Sequence, residues 1–149
     1  MGKKRVIKPT KEALLKEKER IEEKVARGIL KSRKKITRGK LYIKATYNNM
    51  IITVTDEEGN VVFWSSAGHV GFKGTKKGTP FAATKVAEVV SSVLQKTGMR
   101  EIAVFIRGVG QGREAALRSL ANRGVNIISI KDVTPIPHNG PKAKKPRKP

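Results

Sequence analysis

From position 41 onward the chain alternates. Leu41, Ile43 and Ala45 are apolar, with Tyr42, Lys44 and Thr46 set between them, the period of a strand with one covered face. Asn48-Asn49 breaks the pattern, and Met50 to Thr55 resumes it with β-branched residues. Glu57-Glu58-Gly59-Asn60 reads as a turn and Val61 to Trp64 as a third strand, completing a meander. A segment rich in Gly and Lys follows, from Ser65 to Gly78. The spacing then becomes helical. Thr79 is placed to cap and Pro80 to occupy the first helical position. Ala82, Val86, Val89, Val90 and Val93 form the apolar face, and Gly98 ends the helix. Glu101 to Arg107 reads as a strand of nearly continuous apolar residues. Arg113 to Asn122 is a second helix carrying Ala116, Leu117 and Leu120 inward, with Gly124 at its end. Val125 to Lys131 is the last strand. The expected order is β-β-β-α-β-α-β, an α/β single domain with a mixed sheet. The last strands flank a helix and should be parallel, joined by a right-handed crossover.

The chain before residue 40 is different. Thr10 can cap a helix starting at Lys11 and ending at Gly28, with Glu12–Lys16 and Glu23–Arg27 pairs at the favourable spacing. Its apolar stripe, Leu14, Ile21 and Val25, is thin, so the helix needs a partner surface. Charge separates three segments. Residues 1–39 carry 15 basic and 5 acidic residues, a net of +10. Residues 40–134 carry 13 and 7, a net of +6, and residues 135–149 carry 5 and 0, a net of +5. The expected organisation is a basic N-terminal extension over 1–39, a globular body over 40–134 and a Pro/Lys-rich tail over 135–149. A formal charge of +21 on 149 residues repels itself unless a polyanion neutralises it, which points to nucleic acid. The chain has no cysteine, so disulfides and Cys-ligated metals are excluded. No apolar run approaches the roughly 18 residues of a membrane span, and no signal-peptide core is visible, so a soluble intracellular chain is expected.

Two Gly-rich loops resemble known phosphate sites and fail the spacing test. In Gly71 to Pro80, only three residues separate Gly74 from Gly78 and Thr79 follows directly, which is not a Walker loop. Lys73, Lys76 and Lys77 before a helix N-terminus nevertheless suit backbone phosphates. In Gly108 to Glu114, a dinucleotide fingerprint needs glycine at 113, which is Arg113. Arg113 at a helix start is better placed as a phosphate contact. The first strand carries no acid, and the central acids form no metal-nuclease constellation, so no enzymatic activity and no cofactor or metal are expected. Aromatics are sparse and no RNP-type motif is present, so a base-stacking sheet is not expected. Phe81 and Phe105 read as core, and Trp64 is open between core and RNA contact.

Four stretches carry a resemblance: IKATYNN (43–49), WSSAGHVGFKGTKKGTPFAA (64–83), GVGQGRE (108–114) and IKDVTPIPHNG (130–140). They resemble, in register over residues 40–149, the universal family of ribosomal protein eleven of the small subunit. The resemblance implies a ribonuclease-H-like fold without that enzyme's activity. It implies binding to small-subunit ribosomal RNA at the platform, near the messenger RNA exit. It also implies small-subunit proteins six, seven and eighteen as neighbours, and a cytoplasmic or organellar ribosome as location. The implied RNA contacts are Lys44, Asn48, Asn49, Ser65, Ser66, Lys73, Gly74, Lys76, Lys77, Arg107, Gly110, Gly112 and Arg113. In the tail they are His138, Asn139, Lys142, Lys144, Lys145, Arg147 and Lys148. Two departures stand out. After Gly140 the chain continues with Pro141 and a Lys/Pro mixture, where the family often has Cys and an Arg-rich run, and residues 1–39 have no counterpart in the family's common core. A free nucleic-acid chaperone or architectural DNA-binding protein is the other class that the composition allows.

Overall fold

A computed structural model describes residues 36–144. The N-terminal helix expected from Lys11, and Lys145, Arg147 and Lys148 of the tail, lie outside the described residues. The strands are β1 (Arg38–Ala45), β2 (Met50–Thr55), β3 (Val61–Ser66), β4 (Glu101–Arg107) and β5 (Ile127–Asp132). The helices are α1 (Pro80–Thr97) and α2 (Gly112–Asn122), with a 3-10 turn over Gly74–Gly78 before α1. The sheet order is β3-β2-β1-β4-β5. β1 runs antiparallel to β2 and parallel to β4, and β4 runs parallel to β5. The α/β class, the element order and the parallel last strands are therefore as the sequence leads one to expect.

Both helical connections step in the same direction along the sheet between parallel strands. Right-handed crossovers place both helices on one face, where α1 and α2 pack on each other. Under them lie Leu41, Ile43 and Ala45 of β1, Met50, Ile52 and Val54 of β2, and Ile102, Val104 and Ile106 of β4. Val86, Val90, Val93 and Leu94 of α1 and Ala116 and Leu120 of α2 meet them. Thr79 caps α1 by accepting from the Ala82 N–H at 3.3 Å, and Gly98 closes it in a left-handed conformation at φ 76°. Among the described residues the opposite face of the sheet carries no helix.

Two strand boundaries differ from the sequence pattern. β1 starts at Arg38, three residues before the alternation becomes visible, because the Thr37 carbonyl already accepts from the N–H groups of Arg100 and Glu101. β5 starts at Ile127 rather than Val125, because the Val125 N–H turns back to the Leu120 carbonyl to close α2. Phe81 and Phe105, expected in the core, are not there. Phe81 stands 64 % exposed in the first turn of α1, edge-on to Phe72. Phe105 sits on the helix-free face, stacked on Tyr42. The free edge at β5 also exposes Ile128 and Ile130.

Truncating Ile43 to Ala, at the centre of the covered face, is expected to cost about 3 kcal/mol. Thr53→Ala, on the helix-free face, is expected to cost under about 1 kcal/mol. Urea unfolding of the two variants measures the contrast.

Candidate nucleic-acid interface

The parallel strands β1, β4 and β5 end on the same side of the sheet, where β3 also ends and β2 begins. Four pieces of chain meet there: the turn 46–49, the segment 67–79, the loop 108–111 and the chain leaving β5 at Val133. Open α/β sheets place ligands outside these carboxyl ends.

Backbone approaches backbone closely at this end. A Cβ on Gly78 would lie 2.1 Å from the Tyr47 carbonyl oxygen, and one on Gly108 2.0 Å from that of Ala45. Neither position admits a side chain, and Gly108 also holds φ 103°, which favours glycine. The Gly110 N–H donates to the Ala45 carbonyl at 3.1 Å, and the Gly108 N–H to the Thr134 hydroxyl at 3.0 Å. In the 46–49 turn the Thr46 hydroxyl donates to the Asn49 carbonyl and accepts from the Asn49 N–H, both at 3.0 Å. The Asn49 side-chain oxygen accepts from the Met50 N–H, leaving its amide nitrogen and all of Asn48 at the surface.

These bonds correct several expected contacts. Ser65 is completely buried on the covered face, so its hydroxyl does not reach a ligand. The signal was in the strand itself: with β3 running to Ser66, Ser65 shares the parity of the buried Phe63. Gly110 spends its N–H inside the fold, and Gly112 is buried against Ala83 and Met50, so neither is a phosphate cradle. Arg113 is half-buried and already engaged. Its guanidinium donates to the Gly108 carbonyl at 2.7 Å and pairs with Asp132. The α1 N-terminus is self-capped by Thr79, whose carbonyl also accepts from the Ala83 N–H. The 67–79 segment also carries Lys73, Lys76 and Lys77 at this end of the sheet.

The remaining cations converge. Lys44 and Arg107 are register partners on β1 and β4, both exposed on the helix-free face. Ser66 lies in the same cross-strand row, joined through Ile51. Lys73, Gly74 and Lys76 stand exposed on the 3-10 turn, with Lys77 half-buried beside Gly68. None of these cations has an ion-pair partner among the described residues. The tail leaves from the same end, with the Val133 N–H on the Ile106 carbonyl, and its His138, Asn139, Lys142 and Lys144 are exposed. The acids there, Asp132 and Glu114, are paired with Arg113 and Arg118. Asp56, Glu57 and Glu58 occupy the β2–β3 turn, and Glu101 begins β4, all at the other end of the sheet. Among the described residues no three His, Asp or Glu side chains gather to hold a metal.

The sequence-derived contacts omit the row next to Lys44 and Arg107, where Tyr42, Phe105 and Lys131 lie in register on the same face. The alternation Lys40-Tyr42-Lys44 was the available signal for Tyr42. Nothing in the nearly continuous apolar run 102–106 distinguishes Phe105 from its buried neighbours.

Asp132 joins the start of the tail to the 108–113 loop. It accepts from the Thr134 hydroxyl at 2.6 Å and the Thr134 N–H at 2.9 Å as well as from Arg113. The Thr134 hydroxyl, then Arg113, pull its carboxyl down from 3.8 to about 2. A depressed carboxylate stabilises the fold above its unfolded value and loses that contribution as pH falls through the folded one. The thermal midpoint is thus expected to fall between about pH 4 and pH 2 more steeply in the native chain than in Asp132→Asn, as a pH series of thermal melts would read out.

A family profile described as Ribosomal protein S11 matches residues 39–148. Two similar relatives, from two strains of Treponema pallidum, are both named small ribosomal subunit protein uS11. Each is 51 % identical over 118 residues, covering 79 % of this chain and 94 % of the relative. With its mixed sheet, its basic strand ends and a match over nearly the whole described body, the chain belongs to the ribosomal protein S11 family, structural and non-enzymatic components of the small ribosomal subunit.

Proposed function

We propose that this protein binds small-subunit ribosomal RNA through the basic end of its sheet and there helps to assemble and hold the subunit during translation. The site of action is the platform near the messenger RNA exit, with small-subunit proteins six, seven and eighteen as neighbours. One observation carries the reading: Lys44, Lys73, Lys76, Lys77 and Arg107 come from separate elements to one end of the sheet, while the acids there are already paired. A folded body presents these charges at set spacings, so phosphates bind without the body reorganising. The basic segments 1–39 and 135–149 add charge for the same polyanion. Pro135, Pro137 and Pro141 keep the tail extended, which suits threading between RNA helices. Asn48, the Asn49 amide and Ser66 add hydrogen bonds at the same rim.

Sedimentation of cell lysate tests the reading. The chain is expected to run with the small subunit and to resist a moderate salt wash. A Lys73→Glu/Lys76→Glu/Lys77→Glu variant changes no buried residue. It should fold normally, enter subunits poorly, and lower the log–log salt slope for ribosomal RNA by roughly 2–3. Equal affinity for ribosomal RNA and random duplex DNA at one salt concentration would remove the reading's support.

A further inference from the structure

Among the described residues nothing covers the sheet face opposite the helices, and aromatic and basic side chains share it. Strand register determines which residues share it. One row runs Trp64, Thr53, Tyr42, Phe105, Lys131 across all five strands. The next runs Ser66, Ile51, Lys44, Arg107. Tyr42 and Phe105 stack with centroids 5.1 Å apart and planes 17° from parallel. Trp64, 54 % exposed, lies at the other end of its row, tilted over His69. Adjacent rows on one face are two residues apart along each strand, roughly 7 Å, the scale of one nucleotide. The acid on this face, Glu101, is at the far end and paired with Arg38.

We propose that this face is a platform for an unpaired stretch of RNA, whose bases stack on Trp64 and the Tyr42–Phe105 pair while Lys44, Arg107 and Lys131 hold its phosphates. The proposal rests on the RNA-binding reading above and adds the strand state of the RNA. It reverses the expectation from sparse aromatics that the sheet stacks no bases, because register gathers Trp64, Tyr42 and Phe105 into one row. Three observations favour this occupant. Trp64 and Tyr42 are exposed and Phe105 is half-buried, and cations border the Tyr42–Phe105 pair, a combination that fits bases joined to phosphates better than an apolar protein surface. The cations have no acid among them, so charge complementarity requires a polyanion. A duplex hides its base faces inside the stack, so it could use the cations and not the rings. Lys44 and Arg107 sit where the face meets the loop rim, so a strand held at the rim continues onto the rings without a gap.

Trp64 is the single tryptophan of the chain and reports on this face directly. The full chain is titrated with a mixed-sequence 12-nucleotide single-stranded RNA and with the same RNA paired to its complement. The single strand is expected to quench Trp64 emission strongly and the duplex weakly. Tyr42→Leu/Phe105→Leu, checked for folding by circular dichroism, is expected to weaken single-strand binding about tenfold, the loss of one stacked base, and to leave duplex binding within twofold. The native-chain quenching result stands even where that variant folds poorly. Equal binding of both RNAs with unchanged Trp64 emission overturns the platform and leaves the rim reading intact. If the chain binds neither RNA and is absent from subunits, both readings fall. In assembled subunits, ultraviolet cross-linking of the Trp64 peptide to a nucleotide supports the proposal, and a neighbouring protein covering it overturns it.

Discussion

The carbonyl end of β1 is the constraint on which the basic end depends. β1 is the central strand, and the Ala45, Thr46 and Tyr47 carbonyls at its exit are approached by Gly108, Gly110 and Gly78 from two other loops. Each approach excludes a Cβ. The approaches hold the 3-10 turn with its lysines, the 108–113 loop and the 46–49 turn at set distances. The Arg113–Asp132–Thr134 cluster then ties the tail to the same place. The glycines thus act through packing. They position cations carried by other residues and leave few backbone donors for a ligand.

This division of labour accounts for the charge distribution. Among the described residues Lys44, Lys73, Lys76 and Arg107 are exposed and without an ion-pair partner, while the arginine that braces the loop pairs with a carboxylate. An arginine at a helix start and a lysine two strands away look alike in a charge count. They differ in whether a partner has already been found inside the fold. The same logic separates the two ends of the sheet. The Asp56 turn satisfies itself through Asn60, whose side chain and backbone both donate to it, and the Asn60 side chain holds the Asp56 carboxyl below its ordinary value. It is a local device rather than part of an interface.

Much of the architecture was readable in the chain because its signals are local. Thr79-Pro80, Gly98 and the alternation in 41–46 each depend on a few neighbours. Sequence reading failed where a residue's role is decided by a distant backbone. Ser65 and Ser66 are adjacent and chemically identical, and only strand parity separates the fully buried hydroxyl from the half-buried one. Gly110 reads as a flexible phosphate loop until Ala45 appears opposite it. Phe105 reads as core because its strand is apolar throughout, and only the placement of both helices on one side reveals its face as open. The motif positions resembling a known family fall on the loops that meet at this end of the sheet. They could not say which atoms in those loops were still unoccupied.

Among the described residues β5 is an edge strand without an outer partner, and this has a consequence for the isolated chain. An unpaired strand carrying exposed Ile128 and Ile130, followed by exposed Val133 and Ile136, is a template for pairing with a second copy. What opposes that pairing in the free chain is mutual repulsion, since each copy carries a formal +21. Repulsion weakens as salt screens it and vanishes when an unspecific polyanion bridges two chains. The isolated chain is therefore poised between repulsion and pairing along this edge, with salt setting the balance.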